Sequence, residues 1–346
     1  MKKNPYSLLF GKEPKQIISR STQSIEIIES FSEEPVMQQI YMITGLRGSG
    51  KTVFMTEISE ELRNNDEWVV VDLNSSSDLM NDLAAALASE NPLAIIFKNA
   101  KINLSFFGFG LEVKGSVPIT NIQVAITKML ESLKKHGKKV LVCIDEVMSN
   151  EHMKTFAGAF QIFVRQELPI FLLMTGLYEN INNLQNEKNL TFLYRAPKVE
   201  LKPLNLGAIT NNYMKNFDIN EEQAVAMANL TRGYSFAFQV LGYFTWKCDG
   251  DYEAALPDFR LYLEDYVYEK VWSEMSEGDK RLAYGIAKSE DGKAKNIKDI
   301  LDMRDNEYSP YRDRLIKKGI VVSKSHGYVS FTLPLFEQYV LRNYYD

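Results

Sequence analysis

Cysteine is scarce in this chain: only Cys143 and Cys248 occur among 346 residues, and Cys143 sits inside an apolar run. Two cysteines so placed exclude a disulfide framework and a cysteine-based metal site, and they fit a reducing, intracellular setting. Long hydrophobic runs are missing too. Stretches such as Ile170-Phe171-Leu172-Leu173-Met174 fall far short of the roughly 20 apolar residues of a membrane-spanning helix. At the N-terminus, Lys2 and Lys3 are followed by Asn4-Pro5-Tyr6 rather than by the roughly 7 to 15 apolar residues of a secretory leader. These absences lead us to expect a soluble, cytoplasmic protein with no membrane partner. Nor is there an excess of positive charge. The formal charge is −5 and the isoelectric point near 5.5, so any contact with nucleic acid must come from a local basic face. We find no internal repeat or low-complexity tract.

At 45% hydrophobic content, 346 residues provide for two or three packed domains. After an opening segment bearing Gly11, Lys12 and Pro14, the residues Ile25, Ile27, Ile28 and Phe31 recur at mostly helical spacing and predict a lead-in helix over 22–32. Between 39 and 145, short β-branched or aromatic runs alternate with amphipathic stretches, the pattern of a parallel sheet covered by helices. Strands are expected over 40–43, 68–71, 140–144, 170–174 and 198–201. Residues 102–113 alternate apolar side chains around Gly108 and Gly110 and predict an inserted hairpin, either a covering flap or a partner-contacting element. From 206 to about 273 only helical patterns remain, broken near 216–218, 233 and 249–251. Beyond about 275, helices near 279–288, 297–303 and 310–318 precede two β runs, 320–322 and 328–331, that turn at His326-Gly327. Three helices and a β-wing make a winged-helix pattern.

The chemistry concentrates in Gly45-Leu46-Arg47-Gly48-Ser49-Gly50-Lys51-Thr52, a full match to G-x-x-x-x-G-K-[ST] set between a predicted strand and a predicted helix. The glycines let backbone N–H groups and the helix N-terminus, continuing into Val53, face the phosphates of a nucleotide. Lys51 reaches toward the β- and γ-phosphates and Thr52 toward Mg2+. A second pattern supports the first: the apolar run 140–144 ends in Asp145-Glu146. A carboxylate ending the strand beside the P-loop strand suits the magnesium shell, and its neighbour suits orienting and deprotonating a water for attack on the γ-phosphate; Asp145 and Glu146 take these roles. The acid pair favours hydrolysis over phosphoryl transfer to an acceptor hydroxyl. Thr175, at the end of the next strand, is suited to contact the γ-phosphate or the attacking water, or else to cap a turn. ATP and Mg2+ are therefore the expected ligands, with ADP as product.

On these motifs the chain resembles AAA+ ATPases of the branch that holds the replication-initiator (origin-recognition) proteins, the archaeal-type ATPases and their STAND signalling relatives. Asn4-Pro5-Tyr6, Ile18-Ser19-Arg20, the P-loop, Val142-Cys143-Ile144-Asp145-Glu146 and Met174-Thr175-Gly176 carry the resemblance. It implies a central parallel sheet ordered 5-1-4-3-2, Arg20 on the adenine side of the nucleotide, and Thr175 as sensor 1. It also implies that Arg195, just before the fifth strand, stands where such ATPases carry an arginine finger for a neighbouring subunit, a role that acts only in a homo-oligomer; the alternative is an ordinary surface arginine. Thr231-Arg232-Gly233-Tyr234-Ser235 resembles the family's G-x-P turn but has Ser235 in place of proline, and Phe236, Ala237 and Phe238 follow where initiators place a sensor 2 arginine. In the first motif, Ser19 replaces the usual glycine. The C-terminal run 311–320 resembles the winged helix of the archaeal-type ATPases, and there Arg312, Arg314, Lys317 and Lys318 form a basic group suited to the phosphates of double-stranded DNA. Asp299, Asp302, Asp305, Glu307 and Asp313 dilute that field, so a protein partner is the alternative.

The resulting expectation is an α/β P-loop NTPase domain over 1–204, an all-α lid domain over 205–273 and a winged-helix domain over 274–346. The function expected of it is that of an ATP-hydrolysing molecular switch whose nucleotide state controls the winged helix; the alternative is a low-turnover signalling module of STAND type.

Overall fold

The computed structural model of the chain describes residues 3–8 and 14–344, with the side chain of residue 324 left aside. Gly11 and Lys12 of the opening segment lie outside the described residues. The chain divides into two compact units, one of residues 20–44 and 51–200, the other of residues 1–19, 45–50 and 201–346.

The first unit is the sheet. Its elements run α1 (Ser21–Ser32), β1 (Ile40–Thr44), α2 (Lys51–Arg63), β2 (Trp68–Asn74), α3 (Leu79–Ser89), α4 (Asn91–Asn99), α5 (Ile122–Lys135), β3 (Lys139–Asp145), α6 (Glu151–Arg165), β4 (Ile170–Gly176), α7 (Tyr178–Gln185) and β5 (Lys198–Glu200). The five strands are parallel and ordered β2-β3-β4-β1-β5, the 5-1-4-3-2 order read from the other edge. The middles of β1, β3 and β4 are apolar and buried because helices cover both faces, and Met42, Val142, Leu172 and Phe160 lie in a core closed to solvent. Side-chain caps set several helix starts: Asn121 accepts from Val124 N–H, Asn150 from Met153 N–H and Asp78 from Asn81 N–H.

Two expectations need correction here. β3 is not beside β1, because β4 lies between them. Residues 102–113 also form no hairpin. Ile102, Leu104 and Leu111 are buried anchors, a short 3-10 turn spans Ser105–Phe107, and Gly108 and Gly110 turn the chain back at positive φ (76° and 70°). Leu104 N–H bonds the Leu111 carbonyl at 2.8 Å, and the Asn103 side chain donates to the Ser116 carbonyl at 2.8 Å. The apolar alternation recorded loop anchors dipping into the core, not a pleat.

The second unit is helical: α8 (Leu206–Asn216), α9 (Glu221–Thr231), α10 (Ser235–Lys247), α11 (Tyr252–Leu263) running through a π turn into α12 (Glu269–Ser273), α13 (Glu277–Lys288), α14 (Ala294–Leu301) and α15 (Asp305–Lys317). An antiparallel pair follows, β6 (Val321–Ser325) with β7 (Tyr328–Phe331), and then α16 (Phe336–Asn343). α15 starts five residues earlier than its proline suggested, since Pro310 is accommodated inside the helix, and α16 had no sequence signal that we read. Helices, β-pair and the N-terminal Tyr6 share one apolar core, in which Tyr6 stacks on Phe217 and meets Phe238 edge-on.

Candidate functional site

The P-loop leaves β1 at Thr44 and enters α2 at Lys51, so its strand–loop–helix context is the one the motif requires. Gly48 and Gly50 take φ of 74° and 89°, a conformation that side chains resist. The loop closes on itself through Ser49 N–H to the Leu46 carbonyl (3.2 Å). A Cβ on Gly45 would come within 2.7 Å of Ser49 Oγ, which explains the first glycine by crowding rather than by φ. Lys51 is buried at the first position of α2, Thr52 beside it is exposed, and Val53 is half-buried.

Inside the sheet unit, Asp145 gathers donors. Thr52 Oγ1 donates to Asp145 Oδ2 at 2.7 Å, Glu146 N–H to Asp145 Oδ1 at 3.1 Å, and the Thr175 hydroxyl also donates to Oδ1. Thr175 is fully buried, and its oxygen accepts from Glu146 N–H at 3.2 Å. The order β3-β4-β1 makes this possible, because β4 brings Thr175 next to the end of β3 while α2 carries Thr52 over to the same carboxylate. Glu146 adopts φ of 50°, a left-handed turn rare for a residue with a side chain, and is exposed. Ser75 Oγ holds its carbonyl at 3.3 Å and Val147 N–H returns to the Thr175 carbonyl at 2.8 Å.

A hydroxyl and a carboxylate at 2.7 Å are the hard oxygen donors that suit Mg2+, which keeps most of its shell as water and substrate phosphate rather than protein ligands. No group of three or more His, Cys, Asp or Glu is gathered among the described residues.

Other expected residues are placed differently. Arg20 precedes α1, where burial pulls its guanidinium below the ordinary value and Glu57 of α2 opposes that shift. Ser24 Oγ donates to the same Glu57 at 3.2 Å. Arg195 is exposed at the end of a 3-10 turn, Thr191–Arg195. On α15 most of the basic group is already engaged. Arg312 pairs with Asp313 at 2.6 Å, while Arg314 (2.7 Å) and Lys318 (3.3 Å) both meet Asp279, whose side chain is 1% exposed. Lys317 is exposed and makes no ion pair among the described residues.

Sequence reasoning missed a set of contacts in the helical unit. Tyr234 Oη donates to the Arg47 carbonyl at 2.6 Å, Phe236 N–H to the Gly48 carbonyl at 3.1 Å, and Ser235 Oγ to the Ser49 carbonyl at 2.9 Å. Leu46 joins the apolar core of that unit, 3.3 Å from where a Cβ on Gly319 would stand, and Arg47 reaches Glu274 at 3.6 Å. The only sequence signal was Ser235 itself, visible as a departure from a motif.

A family model for an ATPase domain found predominantly in Archaea matches residues 22–192, and one for a domain of unknown function matches residues 265–340. No curated protein matches the chain. A solved Walker-type ATPase of Pyrococcus abyssi is similar in fold, with a TM-score of 0.65 at 17% identity over 94% of this chain and 96% of that one. Cdc6p from Pyrobaculum aerophilum overlaps 96% of this chain and 97% of its own at 13% identity and a TM-score of 0.48. No helix among the described residues is long and apolar enough to cross a membrane. The segment from 22 to 192 is therefore an archaeal-type ATPase domain, and through it the chain is an ATPase.

Proposed function

We propose that this ATPase is a molecular switch, in which the nucleotide held by the P-loop sets the state of the C-terminal helical module. The observation that carries the reading is the double attachment of the loop. Gly45 to Gly50 belong to the phosphate-binding motif, yet Leu46 and Arg47 extend into the module that holds Glu274 and Gly319. A loop that tightens around phosphates cannot do so without shifting those two side chains, so nucleotide occupancy and module position are thermodynamically linked.

In this reading the amides of the loop and Lys51 bind the β- and γ-phosphates of ATP, and Thr52 and Asp145 hold Mg2+. A divalent cation there supplies positive charge against the phosphate oxygens. The Glu146 carboxylate, exposed beside Asp145, orients a water and takes its proton. Thr175 fixes the Asp145 carboxylate and lies one strand from the P-loop strand, a position suited to sensing the γ-phosphate. Arg195 acts on the nucleotide of a neighbouring copy, Arg20 borders the adenine side, and the setting is cytoplasmic. Within the helical unit, residues 205–273 act as a lid and 274–346 as a winged helix, and the two share one apolar core.

For the partner of that winged helix, the ion pairs favour protein over DNA. Arg314 and Lys318 neutralise a buried aspartate, and releasing them to phosphate would leave Asp279 uncompensated. The test of the switch is Glu146→Gln. Magnesium-dependent ATP turnover should vanish while binding of a fluorescent ATP analogue persists. Binding without turnover in the wild type, at every protein concentration, would leave instead a low-turnover signalling module. Duplex-DNA titrations across salt check the partner: neutralising Lys317 alone should change no salt slope, and a slope that falls by about one unit would restore DNA contact by α15.

A further inference from the structure

The three hydrogen bonds from the turn at Tyr234, Ser235 and Phe236 fall on three successive carbonyls of the phosphate-binding loop, those of Arg47, Gly48 and Ser49. A peptide group is planar and trans, so the carbonyl of one residue and the N–H of the next point in opposite directions. Holding the Arg47 carbonyl therefore turns the Gly48 N–H the other way, and holding the Ser49 carbonyl does the same for the Gly50 N–H. The amide between them, Ser49 N–H, is committed to the Leu46 carbonyl, opposite the Gly48 carbonyl that Phe236 N–H holds. Successive amides presented on one side of a glycine-rich loop are what binds a phosphate.

We infer that Tyr234, with Ser235, is a positioning residue for nucleotide: it grips the loop from its carbonyl side and so presents the Gly48 and Gly50 amides to the phosphates. The inference rests on the nucleotide reading above. It gives Gly48 a second reason to be glycine, since a Cβ there would lie 2.3 Å from Tyr234 Oη and 3.0 Å from Phe236 Cβ. It also gives Ser235 a role of its own, because the proline expected at this place in relatives carries no hydroxyl to reach the Ser49 carbonyl. Tyr234 suits this role because it is 6% exposed and burial drives its phenol far above the ordinary value, so it stays a neutral donor. Since the turn opens α10, the same three bonds make the helical module a contributor to nucleotide affinity, and linkage makes nucleotide a stabiliser of that turn.

The experiment compares Tyr234→Phe with Tyr268→Phe. Each deletes one phenol-to-carbonyl bond, the second to Pro334, whose carbonyl is not part of the loop. Kd for a fluorescent ADP analogue, kcat and KM for ATP, and Tm are measured on the full chain. Tyr234→Phe should raise Kd and KM by about three- to tenfold and leave kcat within about twofold. Tyr268→Phe should lower Tm but leave Kd unchanged. Ser235→Ala, a milder change, should raise Kd in the same direction and serves if Tyr234→Phe does not fold. Wild-type Kd in both Tyr234→Phe and Ser235→Ala would overturn the inference, as would an equal rise in Tyr268→Phe. A wild-type protein that binds no nucleotide would overturn the nucleotide reading and this one together.

Discussion

Replacing Thr175 by valine removes one oxygen and keeps the shape, and it tests whether the buried hydroxyl holds the Asp145 carboxylate. Thr175 has no solvent exposure, so no water can take the place of the lost donor without repacking. Asp145 Oδ1 would keep Glu146 N–H at 3.1 Å and lose the hydroxyl, while Oδ2 would keep Thr52 at 2.7 Å. A hydrogen bond to a charged group contributes about 2 kcal/mol, and if the loss is felt in the transition state it corresponds to a roughly thirtyfold fall in kcat. The same deletion also frees Glu146 N–H from one of its two acceptors, loosening the left-handed turn that sets the carboxylate proposed to activate water. Steady-state turnover and nucleotide Kd should therefore separate: kcat falls, and binding through Lys51 and the loop amides stays within a few-fold. Thr175→Ser, which retains the hydroxyl, should recover most of the rate. Wild-type kcat in Thr175→Val would refute the claim that this hydroxyl orients the site.

Gly48→Ala should weaken nucleotide binding more than tenfold by calorimetric titration, because a left-handed alanine costs about 1–2 kcal/mol and its Cβ would collide with Tyr234 Oη at 2.3 Å; wild-type affinity would mean the loop is not gripped as described. Asp279→Ala should lower unfolding free energy by about 2 kcal/mol in urea, since it removes the buried carboxylate that Arg314 and Lys318 both meet. An unchanged midpoint would sink the assignment of α15's basic residues to structural pairing.

How far the fold could be read follows from which interactions are local. Gly45 to Thr52 declared itself because a phosphate-binding turn constrains eight consecutive residues, and Asp145-Glu146 because an apolar strand must end where acids begin. The position of β4 between β1 and β3 was accessible only through the resemblance, since strand order depends on crossovers that periodicity does not encode. The segment 102–113 misled because period-2 alternation arises equally when a loop drops Ile102, Leu104 and Leu111 into a core. The basic group on α15 misled in another way: its counter-charge, Asp279, lies on α13 more than thirty residues away, so a list of neighbouring acids could not reveal the pairing.

The least legible feature, the Tyr234–Phe236 turn, is also the one that joins chemistry to conformation. Each of its bonds falls on a backbone carbonyl, and a carbonyl carries no side-chain signature, so nothing in the identity of Arg47, Gly48 or Ser49 announces the partner. Only the excluded volume at Gly48 leaves a trace, and there the phosphate motif already accounts for a glycine. In the proposed reading one peptide plane serves two masters, its N–H turned to phosphate and its carbonyl held by the helical module. It follows that a substitution in the turn can alter nucleotide affinity without touching any group that meets the nucleotide, and that a module shifted by its partner changes affinity through the same three bonds.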